Sequence, residues 1–127
     1  MKQTLLSEGK GRTRVSLSTK PVGRDLVVYL FNDSAHLGAV AVADYSCQED
    51  RVSTSVITRL GHKDDAVACH AAHKLCKLLK KPVCAIAGIH VDEITEAEIS
   101  EILRNCDKLV EKLAAAVSSQ QKPFTDY

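Results

Sequence analysis

Two short tracts hold most of the side chains able to do chemistry: Gly61-His62-Lys63-Asp64-Asp65 and Ala87-Gly88-Ile89-His90-Val91-Asp92. Each follows an apolar, strand-like run and leads toward a helix-like segment. Glycine backbone, imidazole and carboxylate groups are thereby set at strand ends, where scaffolds display ligand groups. At the first tract, exposed amides, a helix dipole and the Lys63 ammonium can hold a phosphate or carboxylate, whereas Asp64 and Asp65 oppose an anion unless they act as helix caps. At the second, Asp92 can orient the His90 imidazole for acid/base work or accept backbone hydrogen bonds in a turn. A capped helix start and a stabilised loop account for the same residues. His36, just before Gly38, joins these groups only if the fold brings it near His62 or His90. Gly9-Lys10-Gly11-Arg12 is a basic turn able to surround an anion, but it lacks the spacing and terminal Lys-Ser/Thr of a nucleotide P-loop.

Other constellations assign less. Cys69-x-x-x-His73-x-x-Cys76 invites a zinc reading, yet one helix rarely closes a tetrahedral site and both cysteines belong to an apolar stripe, so packing is expected and no metal site is assigned. No Gly-x-Ser-x-Gly elbow is present, and no catalytic residue is assigned. The cysteines number five, an odd count, and form no Cys-x-x-Cys pair, which fits small core residues in a reducing compartment.

The elements that must position these groups follow from hydrophobic periodicity. Residues 12–19 and the denser apolar run at 25–31, joined by Lys20-Pro21-Val22-Gly23-Arg24, predict an antiparallel hairpin. Residues 37–43 make a third strand whose small side chains let a helix or a second subunit approach closely. The polar tract 44–50 reads as a loop and residues 52–60 as a β-branched fourth strand. Ala68, Cys69, Ala72, Leu75, Cys76 and Leu79 then form the apolar stripe of a helix ending near Lys80-Lys81-Pro82. Residues 83–87 predict a central strand. Thr95 and Glu98 match a capping box that opens a second helix, whose apolar face includes Ile99, Ile102, Leu103, Cys106 and Leu109 and lapses after position 117.

The order β-β-β-β-α-β-α predicts an α+β fold: a two-layer single domain over residues 1–117, with a mixed, mainly antiparallel sheet, two amphipathic helices, and a polar tail at 118–127. The strand before the first helix and the strand after it are expected to be parallel neighbours. A chain of 127 residues, 45% hydrophobic, suits one such domain. Its 17 Lys+Arg against 16 Asp+Glu gives no broad reason to bind nucleic acid or an anionic membrane, and the absence of Trp argues against an extended base-stacking surface. No segment reaches the length of a membrane span, so a soluble cytoplasmic protein is expected.

Four blocks in order carry a family resemblance: Pro21-Val22-Gly23-Arg24-Asp25-Leu26, His36-Leu37-Gly38-Ala39-Val40-Ala41, Gly61-His62-Lys63-Asp64-Asp65 and Ala87-Gly88-Ile89-His90-Val91-Asp92. Over roughly positions 10 to 115 the chain resembles the small D-subunit family associated with gallate and related hydroxyarylic acid decarboxylases, described as prenylated flavin chaperone-like proteins. The resemblance implies a non-catalytic accessory protein that helps supply prenylated FMN, or FMN, to a large decarboxylase subunit. It also implies a proteasome-assembly-chaperone-like architecture and self-association as a dimer. No catalytic assignment comes with it. The cofactor-binding candidates Arg12, His36, Gly61, His62, Lys63, Gly88 and His90 rest on motif position and chemistry. Two rival readings are a protein assembly factor without a cofactor, and a small enzyme using His62 or His90 as general base with Lys63 or Arg12 placing an anionic substrate.

Overall fold

A computed structural model describes residues 3–59 and 64–120. The strands are β1 (Leu5–Glu8), β2 (Val15–Val22), β3 (Asp25–Phe31), β4 (Ala39–Ser46), β5 (Arg51–Thr58) and β6 (Val83–Gly88), and the helices are α1 (Asp65–Leu79) and α2 (Glu96–Gln120). They build the expected two-layer α+β domain, with one mixed, mostly antiparallel sheet in the order β1-β2-β3-β6-β4-β5. Both helices lie on the same face: α1 packs on β4, β5 and β6, and α2 on β1, β2 and α1.

Period-two alternation explains the layers. Val15 and Leu17 of β2, Leu26, Val28 and Leu30 of β3, and Ala85 and Ala87 of β6 all point under the helices and are buried. On β4 the inward residues are Ala39, Ala41 and Ala43, which meet a helix whose own buried side includes Ala68, Ala71 and Ala72. The small side chains of β4 thus admit α1 to close range. The second helix opens with the expected capping box, in which the Glu98 amide donates to Thr95 Oγ1 at 3.1 Å and the Thr95 amide donates to Glu98 Oε1 at 3.1 Å.

Five expectations need correction. Leu5–Glu8 forms an additional edge strand, held to β2 from Leu5↔Ser18 to Glu8↔Val15. Arg12 lies in a 3-10 turn, Gly11–Thr13, ahead of β2 rather than within it. The strands flanking α1 are not neighbours, because β4 lies between β5 and β6; the parallel pair is β3 with β6. Finally, β4 continues through Asp44-Tyr45-Ser46, and α2 runs to Gln120, past the lapse in its apolar face.

The helices leave the other sheet face uncovered. The strand registers align Leu5, Ser18, Tyr29, Ile86, Val40 and Ile57 in one row across six strands. Ile57, on edge strand β5, is 75% exposed, and Val42 one row away is 51% exposed.

Candidate functional site

The parallel pairing of β3 with β6 sets Phe31 beside Gly88, so the segments leaving both strands emerge together. Antiparallel pairing brings the start of β4 and the end of β5 to the same place, with Ala39 beside both Ala87 and Thr58. The connections at 32–38 and 89–95, together with Arg59 and Asp64, therefore converge where β3 and β6 end, the usual location of ligand crevices in sheets with parallel strands.

Two glycines allow the close approach. A Cβ on Gly88 would collide with the His36 carbonyl, and one on Gly38 with the Asp64 carboxylate. Asp64, 7% exposed, makes no side-chain cap for α1. Its Oδ1 instead accepts the Ile89 amide at 3.2 Å, and its Oδ2 lies 3.2 Å from His36 Nε2. The other ring nitrogen of His36 faces the Ser34 carbonyl at 3.3 Å, so both nitrogens point at oxygens that only accept. Tyr29 donates its phenol to the His36 carbonyl at 3.4 Å. Burial, and secondarily the charge of Asp64, raises the Tyr29 pKa above its ordinary value.

His90 stands opposite. Its ring lies edge-on to that of His36, with centroids 6.2 Å apart, and its Nε2 lies 2.8 Å from Asp92 Oδ1. With Nε2–H donated to Asp92, the neutral ring presents Nδ1 as an acceptor. The backbone of His90 is clamped by Asn32, whose Nδ2 donates to the His90 carbonyl at 2.8 Å and whose Oδ1 accepts the His90 amide at 3.2 Å.

Arg12 approaches the loop from the far side. Its guanidinium donates to Glu98 Oε2 at 2.8 Å and to the Asp92 carbonyl at 2.6 Å, tying the 3-10 turn to the loop that carries His90. The hydrogen bond from Arg12 to Glu98, with that from the Thr95 amide second, lowers the Glu98 pKa to about 2. Arg59, at the end of β5, fixes the 32–38 connection by donating to the Leu37 carbonyl at 2.9 Å.

Between the start of α1, the 89–95 connection and the first turns of α2 lies a cavity of about 450 Å³. His36, Asp64 and His90 are its polar lining residues, and Ala66, Val67, Ile89, Val91, Ile94, Ile99, Ile102 and Leu103 its apolar wall. The sequence pattern placed Ile99 and Leu103 in the buried face of α2. They are 43% and 44% exposed because that stretch of the helix faces the cavity instead of the core.

Of the residues singled out from sequence, His36, Gly88 and His90 come together here, whereas Arg12 braces the loop from outside. Gly61, His62 and Lys63 lie outside the described residues. Asp64 as a bridge between loops and Asn32 as a clamp were missed, because a cap and a turn explained them locally. The doubtful zinc trio is held by packing and one hydrogen bond: Cys76 is buried and His73 Nδ1 lies 3.1 Å from Thr54 Oγ1. Among the described residues, no group of three or more His, Cys, Asp or Glu is arranged to hold a metal ion, and no helix is long and apolar enough to cross a membrane.

This fold is found in a solved structure. One chain from a crystal structure described as a novel chaperone complex for yeast 20S proteasome assembly superposes with a TM-score of 0.60, covering 93% of this chain and 95% of that one. At 13% identity, the likeness is one of fold. No curated protein matches the chain. Residues 9–118 match the family model of the prenylated flavin chaperone LpdD-like domain, and the chain belongs to that family. Membership supports a chaperone role linked to prenylated flavin, and with it a partner protein.

Proposed function

We propose that the chain is a non-catalytic, cytoplasmic accessory protein that holds prenylated FMN at the convergent loops and supplies it to a hydroxyarylic acid decarboxylase. The observation that carries this reading is the cavity beside the His36–Asp64 and His90–Asp92 pairs in a chain of this family. The residues suit such a ligand. An apolar wall accepts uncharged hydrocarbon surface of the ligand, His90 Nδ1 can accept a ring N–H, and the glycine cradle lets the loops close on one another. His36, Gly88 and His90 are proposed as contacts; Gly61, His62 and Lys63 are retained on sequence position alone. Arg12 acts by positioning. The flavin supplies its chemistry in the partner enzyme, and this chain needs only to bind and release.

An enzyme reading is less well supported: the Arg12 guanidinium is engaged by Glu98, and His90 lies on the open rim of the cavity. The uncovered sheet face suits a second copy, since a two-fold pairing matches its apolar row with itself. The reading is tested by activation of an apo-decarboxylase with limiting prenylated FMN, with and without the purified chain. Faster or fuller activation is expected from wild type and less from His90→Ala. Equal activation with and without the chain would refute delivery.

A further inference from the structure

Resting on the flavin-holding reading above, we propose that the aliphatic wall of the cavity is the specificity element of the site. It receives the isoprenoid-derived carbons of the cofactor and thereby distinguishes prenylated from unmodified FMN. The polar lining is two imidazoles and the Asp64 carboxylate, and the rest of the described lining is aliphatic, Ala66 together with branched Val, Ile and Leu side chains. Among the described residues no aromatic ring other than the two imidazoles lines the cavity, so these residues offer no broad stacking platform for an isoalloxazine. A flavin lacking the added carbons therefore has little to gain from this wall.

Three wall residues, Ile94, Ile99 and Leu103, remain 40%, 43% and 44% exposed. Their exposed apolar surface is removed from water when an apolar group lies against it. The nearby polar groups are paired as His36–Asp64 and His90–Asp92, which leaves the aliphatic remainder of the lining suited to an uncharged hydrocarbon group. Each buried methylene strengthens binding about fourfold. Seating part of the isoprenoid-derived carbons should thus favour the prenylated cofactor by roughly tenfold or more.

The test is titration of the intact chain with prenylated FMN and with FMN, for wild type, Leu103→Gln and Ile99→Gln, followed by calorimetry. Leu103→Met is a variant that preserves the apolar volume. Both glutamine substitutions fall at half-exposed positions, and retained helical circular dichroism identifies folded samples. The proposal expects a preference of about tenfold or more in wild type, retained in Leu103→Met and reduced several-fold in the glutamine variants, with prenylated FMN affinity falling several-fold more than FMN affinity. Equal wild-type affinity for the two flavins, or equal weakening of both by the variants, overturns the specificity role while leaving flavin binding intact. Failure of folded wild type to bind either flavin overturns the holding function and the proposal together. Protection of Ile94, Ile99 and Leu103 by an apo-decarboxylase without flavin would assign the wall to a protein contact and also overturn it.

Discussion

Replacing Asn32 by Ala should loosen the His90 loop without touching the ligand side of the cavity. Asn32 makes two hydrogen bonds to the peptide groups of His90, at 2.8 and 3.2 Å. Each such bond contributes roughly 0.5–1.5 kcal/mol net, and because water can reach this rim the lower half of that range applies. The expected cost is about 1–2 kcal/mol, or a fall in Tm of roughly 3–6 °C for a domain of this size. Because the His90 amide donates directly to Asn32, hydrogen exchange at that amide should accelerate by about 5–30-fold, read by NMR alongside urea unfolding. Asn32→Asp keeps an acceptor for the amide but sets an oxygen against the His90 carbonyl, so it should remain below wild-type stability. Unchanged protection at His90 in Asn32→Ala would refute the clamp.

Further outcomes follow from the same geometry. The Glu98 pKa is about 2 in the folded chain, against an ordinary value of 4.5, so its pairing with Arg12 and the Thr95 amide stabilises the fold fully above about pH 4.5 and is lost as pH falls toward about 2. Acid unfolding of Glu98→Gln should accordingly be less steep in that window; identical acid profiles would contradict the Arg12 latch. Gly88→Ala forces a methyl into the His36 carbonyl and should destabilise by about 1–3 kcal/mol, shifting the His36 ring resonances, whereas wild-type stability and spectra would show that no close approach exists. If the uncovered sheet face carries the proposed self-association, Val42→Asp should leave the fold intact but shift sedimentation from dimer to monomer; a wild-type monomer would refute self-association, and an unaffected dimer would move it to another surface.

Much of the fold was legible because amphipathic patterns dominate it. The Gly23-Arg24 hairpin, the stripe of α1 and the Thr95–Glu98 capping box all depend on neighbours within a few residues. Strand β1 was not legible: Leu5-Leu6-Ser7-Glu8 is short, and its pairing with β2 is what makes it a strand. Sheet order was equally hidden, since the insertion of β4 between β5 and β6 is a choice among long-range pairings that local periodicity does not encode.

The same distinction applies to the site. Its two motif tracts announced themselves by glycine, imidazole and carboxylate types, but the meeting of His36 with His90 depends on the β3–β6 pairing between distant segments. Asp64 resembled a cap in sequence, yet Gly38 opens the space that sends its carboxylate toward His36 and Ile89. Periodicity placed Ile99 and Leu103 on the apolar side of α2. It could not reveal that a cavity, and not the core, lies opposite them.

The central claim is tested most directly by calorimetric and absorbance titration of the purified chain with prenylated FMN and FMN, using His90→Ala, His62→Ala and Lys63→Ala for comparison. Saturable binding of prenylated FMN, weakened by His90→Ala, is the expected result. Absence of binding by the folded wild-type chain would contradict a self-sufficient flavin holder and leave partner-dependent assembly as its function.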